Sequence, residues 1–262
     1  MANDIIPGDA VHFSRLKKMR LSPAHYLADD STSTRSKRLG DGTHSVLLGA
    51  KRCLVYNDGK RAGKRWEEFK ADNDDACILI PSESEQVLGM RQSIERHPLA
   101  MKLLDGIREQ LIEWDFGGRR CGGTPDVVHL QLPGYRAKVG VELKTSRTAA
   151  PWSFPWECKR YNYYGQCSFY TDGIERTLAY PAGDVSDYFI VVVENTKPFP
   201  VTVCRVEERA LARARLEWRG WLDELQQCER TGHFPAYTDQ VVSIGVDDDL
   251  DLDFTTEDDE AA

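Results

Sequence analysis

The sequence predicts a single α/β domain whose N-terminal portion is helical. Three observations lead there. Helix signals dominate residues 1–105, apolar or alternating runs of strand length begin near Glu109, and no linker or internal repeat divides the 262-residue chain. A hydrophobic content of 41% is enough for a real core.

The elements follow in order. "LSPAHYLADD" opens a helix, with Ser22 as N-cap and Pro23 at the first helical position. "SKRLGDGTHSVLLGA" reads as a second helix from near Leu39, carrying His44, Leu47 and Leu48 on one side. Residues 52–82 are polar and mixed, with short strands expected at 53–56 and 77–80. Residues 83–105 are helical in composition but broken at His97-Pro98, because proline removes an amide donor. "EQLIEWDF", "DVVHLQLP" and "AKVGVELKT" then read as a three-stranded antiparallel meander, punctuated by "GGRRCGGTP" and "PGYR". "WECKRYNYYGQCSFYTDG" reads as one helix ending near Gly173, "DYFIVVVEN" as a buried strand and "FPVTVCRVE" as its hairpin partner. A long amphipathic helix over 207–230 closes the domain, which is expected to span 1–240.

Charge and cysteine usage narrow the function. The net charge is −8, but nine acidic residues and no basic one lie in 247–260, so the body is close to neutral. The acidic segment, 241–262, is expected to be disordered and solubilising, or to mimic nucleic acid and compete for a basic surface. Residues 1–70 hold 14 Lys and Arg against 8 Asp and Glu, clustered at 15–20, 35–38 and 60–65. That excess is either a phosphate-facing surface or a solvated face. The seven cysteines are scattered and never form a C-x-x-C pair, which indicates reduced thiols rather than a zinc ribbon or iron–sulfur site. No apolar run approaches the roughly 18 residues of a membrane span, and the N-terminus lacks a secretory pattern. A cytoplasmic protein without membrane contact is expected.

The chemistry gathers at "GVELKTS". On a strand, Glu142 and Lys144 share one face while Val141 and Leu143 share the other. Pro125-Asp126 begins the preceding strand, and a hairpin brings its start beside the end of its partner. Two carboxylates and a lysine would then converge, and hard oxygen ligands with room for water suit Mg²⁺ or Mn²⁺. Such a spacing alone is common, and a solvated ion pair is the plainer alternative.

The context resembles the PD-(D/E)xK nucleases, and within them the RecE-like, RecB-type exonucleases of phage recombination. The resemblance runs through "SPAHYL", "LGDGTHSVLL", "CGGTPD", "VELKTS", "YNYYGQCSFY" and "RTGHFPAY", most of the chain. It implies a restriction-endonuclease-like core: a central mixed sheet flanked by helices. It also implies His44, Asp126, Glu142 and the Leu143 carbonyl as metal ligands, Lys144 as the catalytic lysine, and Gln166 and Tyr170 as residues that position DNA. Gln166 and Tyr170, at i and i+4, share a helix face. Glu113 matches an acidic position close to the metal in some relatives. The chain departs from the family at Glu142, where Asp is commoner, and at Thr124, where a basic residue often stands.

The function so implied is a Mg²⁺-dependent exodeoxyribonuclease, with Mn²⁺ as substitute. It would act on double-stranded DNA ends, form a ring-like homo-oligomer and supply single strands to an annealing protein. The alternatives are a Cas4-like or repair-type nuclease acting on single strands or flaps, with the missing cysteine cluster counting against a Cas4-like iron–sulfur protein, and a non-catalytic DNA-binding module. Of the aromatic group Trp152, Trp156, Tyr161, Tyr163 and Tyr164, half is expected in the core, and one or two exposed rings could stack on an unpaired base.

Overall fold

The computed structural model describes residues 9–28, 33–177 and 185–244. In chain order, β1 (Val11–His12) and α1 (Phe13–Leu16) lead through a short 3-10 helix to α2 (Pro23–Leu27) and α3 (Arg35–Leu48). Next come β2 (Cys53–Val55), α4 (Lys64–Ala71), β3 (Cys77–Leu79), α5 (Pro81–Glu95) and α6 (Pro98–Leu104). The second half holds β4 (Ile107–Arg108), β5 (Ile112–Phe116), β6 (Arg119–Gly123), β7 (Val127–His129) and β8 (Lys138–Ser146). It ends with α7 (Phe154–Tyr161), α8 (Tyr163–Thr177), β9 (Val185–Glu194), β10 (Val201–Arg205) and α9 (Glu208–Thr231).

The central sheet has the spatial order β10-β9-β8-β7-β4. β8 and β9 run parallel while the other neighbours are antiparallel, so the sheet is mixed, as expected. Strand alternation divides the core in two. Val139, Val141 and Leu143 of β8 join Phe189, Val191 and Val193 of β9 against α3, α5 and α6. Tyr188, Ile190 and Val192 of β9 face the other way, against Phe169 of α8 and Trp218 and Leu222 of α9. Helices therefore cover both faces, and Glu142 and Lys144 lie on the α8 side of β8.

α3 begins at Arg35 rather than near Leu39, because the Thr34 hydroxyl caps it by accepting from the Lys37 amide. Its entry is tied to α5 by Glu83, a buried carboxylate that accepts from Arg38, Arg61 and the Ile80 amide. Arg38 and Arg61 came from the basic clusters of the N-terminal region, so part of that charge excess is structural.

Three expectations need correction. The meander is split between sheets: β7 pairs with β8, whereas β5 pairs with β6, which also takes β1 as a parallel neighbour. β6 is the "RRCGG" run that reads as punctuation, because its glycines carry no side chain to show alternation. The helix expected to end near Gly173 is two helices. Asn162, left-handed at φ 58, breaks the chain between them and caps α8 through its Oδ1, which accepts from the Gly165 amide. Ser22 stands at the N-cap of α2, yet its hydroxyl bonds His25 Nδ1 at 2.7 Å instead of a main-chain amide. The acidic run 247–260 lies outside the described residues.

Candidate active site

The register Val127↔Val141 sets Asp126, one residue before β7, beside Glu142 of β8. The Asp126 amide is 3.5 Å from Glu142 Oε1, and Asp126 Oδ2 accepts from the Leu143 amide at 2.7 Å. α3 brings His44 from the other side, with Nε2 3.0 Å from Asp126 Oδ2. Lys144 Nζ donates to Glu142 Oε2 at 2.6 Å and lies 3.9 Å from Asp126 Oδ2. α8 adds Gln166, whose Nε2 donates to Glu142 Oε2 at 2.9 Å. Tyr170, one turn on, lies on the same helix face as Gln166. The structure thus brings together His44, Asp126, Glu142, Leu143, Lys144, Gln166 and Tyr170.

Glu113 is the exception. On β5, Ile112 and Trp114 point into the core, so Glu113 points outward, where Arg120 holds it at 2.6 Å. None of its described contacts reaches Asp126 or Glu142. The acidic side chain that does lie nearby is Glu109. It adopts φ 49, its amide donates to the Asp126 carbonyl at 3.1 Å, and its carboxyl is pushed up by burial and by the charge of Asp126.

Burial sets the electrostatics. Glu142 has no exposed surface, and burial, reinforced by Asp126, raises its carboxyl above the usual range despite Lys144. Burial would raise Asp126 too, but His44 and Lys144 outweigh it and hold that carboxyl down. Burial works against the charge on Lys144, but Glu142 and Asp126 raise its ammonium above its ordinary range. For His44, burial is overcome by Asp126, and the imidazole rises to about 9. Its Nδ1 meets the Gly40 carbonyl at 2.9 Å, so it donates there, and Nε2 can also donate to Asp126 only as imidazolium.

Two residues join the site without a motif to announce them. The Tyr188 hydroxyl donates to Glu142 Oε1 at 3.2 Å. Its signal in the sequence was a tyrosine inside an apolar strand, where a buried hydroxyl needs a partner. Lys17, just after α1, is close enough to feel the like charge of Lys144, and burial together with that repulsion lowers its pKa.

The donor set fits a hard divalent cation. Two carboxylates and an imidazole meet, and the Gly40 carbonyl holds Nδ1 so that Nε2 faces the carboxylates, the support usual for a metal-binding histidine. Among the described residues these groups satisfy one another, and no cluster of three or more His, Cys, Asp and Glu is spaced for an ion. Loading the site would require Lys144 and His44 to yield their carboxylate contacts.

A mixed sheet flanked by helices, with Asp126 immediately before one strand and Glu142 and Lys144 on its neighbour, defines a PD-(D/E)xK-type domain. A family described as a PDDEXK-like domain of unknown function (DUF3799) matches residues 12–244, and the chain belongs to it. Among solved structures, a candidate exonuclease from Eubacterium rectale aligns over 91% of each chain at 14% identity and a TM-score of 0.62, a likeness of fold. A structure of SSO0001 aligns over 79% of this chain and 83% of its own at 12% identity, but its TM-score of 0.30 is too low to inform the fold. Among curated proteins no sequence matches the chain.

Proposed function

We propose that the protein is a metal-dependent exodeoxyribonuclease that degrades double-stranded DNA from an end. In this reading it acts in the cytoplasm of a bacterium or phage-infected host, as a ring-like homo-oligomer, and leaves single strands for an annealing protein in recombination. The observation that supports it most is the convergence of His44, Asp126, Glu142, Lys144 and Gln166 on one buried point.

His44, Asp126, Glu142 and the Leu143 carbonyl would hold Mg²⁺, or Mn²⁺ in its place, which supplies an acidified water and charge to offset the developing phosphorane. The chain's own residues do the rest. Lys144 stays an ammonium at neutral pH and, released from Glu142, donates to a phosphate oxygen or holds the attacking water. Gln166 and Tyr188 grip the two Glu142 oxygens and fix the carboxylate's orientation. Tyr170 shares the helix face of Gln166 and packs beside it.

The test is release of acid-soluble nucleotides from linear and covalently closed circular duplex DNA, in Mg²⁺ and in chelator, with Glu142→Ala alongside. Digestion of the linear form only, dependent on metal and on Glu142, is expected. Cutting of the circle would make the protein an endonuclease, and binding without cutting would make it a non-catalytic module. Lys144→Ala should bind DNA and not cleave it; retained turnover would remove Lys144 from the chemistry.

A further inference from the structure

α7 carries rings that the core does not use. Phe154 and Cys158 face inward, while Trp152, in the turn before the helix, is 82% exposed and Trp156, four residues on, is 68% exposed. The Lys159 ammonium sits 4.7 Å from the Trp156 ring, so cation and ring share the outward surface. At the far end of α7, Tyr161 stacks on Tyr163 with centroids 5.7 Å apart and planes at 25°. The Tyr163 ring in turn lies 5.4 Å from Lys144 Nζ. An eight-residue helix rises about 12 Å. That length matches about three stacked nucleotides at ~3.4 Å each.

We propose that the outward face of α7, carrying Trp152 and Trp156, is a stacking platform for unpaired bases of a DNA strand whose phosphodiester is held at Lys144. The inference rests on the nuclease reading for its orientation toward Lys144. Chemistry selects the occupant. Every base offers a flat π face that an indole can cover whatever the sequence, and Lys159 and Arg160 supply counter-charge for the intervening phosphates. A duplex hides its base faces in the stack, so exposed rings on a convex helix serve unpaired nucleotides. The Tyr161–Tyr163 stack links the C-terminal end of the same helix to Lys144.

The experiment measures binding of the full chain, in chelator, to labelled oligothymidylate and to an abasic deoxyribose-phosphate strand of equal length. Wild type should prefer the strand with bases by roughly 5- to 150-fold, the worth of stacking one base. The double variant Trp152→Ala/Trp156→Ala should bind both strands alike, with an unchanged salt dependence because no phosphate contact is lost. Trp152→Tyr/Trp156→Tyr, which keeps rings, should retain most of the preference. A preference that survives the alanine variant, or a wild type that binds the two strands equally, overturns the platform. If the alanine variant instead loses oligomer mass while the strands bind alike, the face is a surface between copies of the chain, which also overturns it. Nucleotide release from linear DNA, measured in parallel with Mg²⁺, separates the two readings. Base preference without release sinks the nuclease and leaves the platform, and release without base preference does the reverse.

Discussion

Gly123 and Tyr170 form a contact that can be broken and repaired on purpose. A Cβ at Gly123 would stand 2.4 Å from Tyr170 Cε1, closer than real Cβ contacts come, and 3.1 Å from Cδ1, a tight approach. Gly123 ends β6 with no positive φ, so alanine costs nothing in the backbone and the whole penalty lies in the ring. Overpacking of this kind costs about 1–3 kcal/mol. For a chain of this size each kcal/mol lowers Tm by about 2–4 °C. Because Tyr170 shares a helix face with Gln166, and Gln166 donates to Glu142, a displaced ring also loosens the carboxylate. Gly123→Ala should therefore lower kcat as well as stability. The assay is a double-mutant cycle by urea or thermal unfolding, with activity alongside. In a Tyr170→Ala background the ring is gone, and Gly123→Ala should become neutral or slightly stabilising. Equal costs in the two backgrounds would refute the contact, and so would a Gly123→Ala protein with full stability and activity.

Three further outcomes are expected. Burial alone would raise Glu83, but Arg61, the Ile80 amide and Arg38 hold it below the usual range; its stabilising effect is therefore full above the ordinary carboxylate pKa of about 4.3 and lost as pH falls through the lowered value. Glu83→Gln should cost about 3–5 kcal/mol at neutral pH, and the gap to wild type should close in acid unfolding titrations. Tyr188→Phe removes a donor from a carboxylate with no exposed surface, so it should destabilise by about 1–3 kcal/mol; equal chemical denaturation midpoints would exclude that bond. Asn162→Ala should cost more than Asn162→Gly, since alanine loses the cap and is also strained in the left-handed region by about 1–2 kcal/mol. Calorimetry on the two variants ranks them.

The parts of the fold legible in the sequence are those where side-chain type and period agree. "DYFIVVVEN" is apolar on both faces and becomes β9, covered on both. His97-Pro98 breaks the helical run where expected, between α5 and α6. What was misread has a common physical cause: glycine and short length erase the period. β6 ends in two glycines and β1 has two residues, so neither shows alternation, and the second sheet they build with β5 stayed invisible. α4 hid for a different reason, since "KRWEEFKA" buries only Trp66 and so carries almost no apolar stripe.

At the site, the order of "PD" and "ELK" pointed to Asp126, Glu142 and Lys144, whereas Tyr188 and Glu109 became visible only once the chain was folded. Alternating apolar and charged residues ordinarily mean a strand with one wet face. Here α8 covers that face, and Glu142 is fully buried with Lys144 nearly so. Buried charge of this sort is weak evidence for stability, because well-packed apolar residues in the same places are often as stable or more so. The chain nevertheless surrounds Glu142 with Lys144, Gln166 and Tyr188, and Asp126 with His44 and the Leu143 amide, so that each carboxylate is matched by donors rather than replaced. A sequence shaped for stability alone would place valine or leucine at 142 and 144 and let the rest of the group go. A buried group whose carboxylates are matched donor by donor, rather than replaced by apolar side chains, is what reaction chemistry at this face of β8 would require.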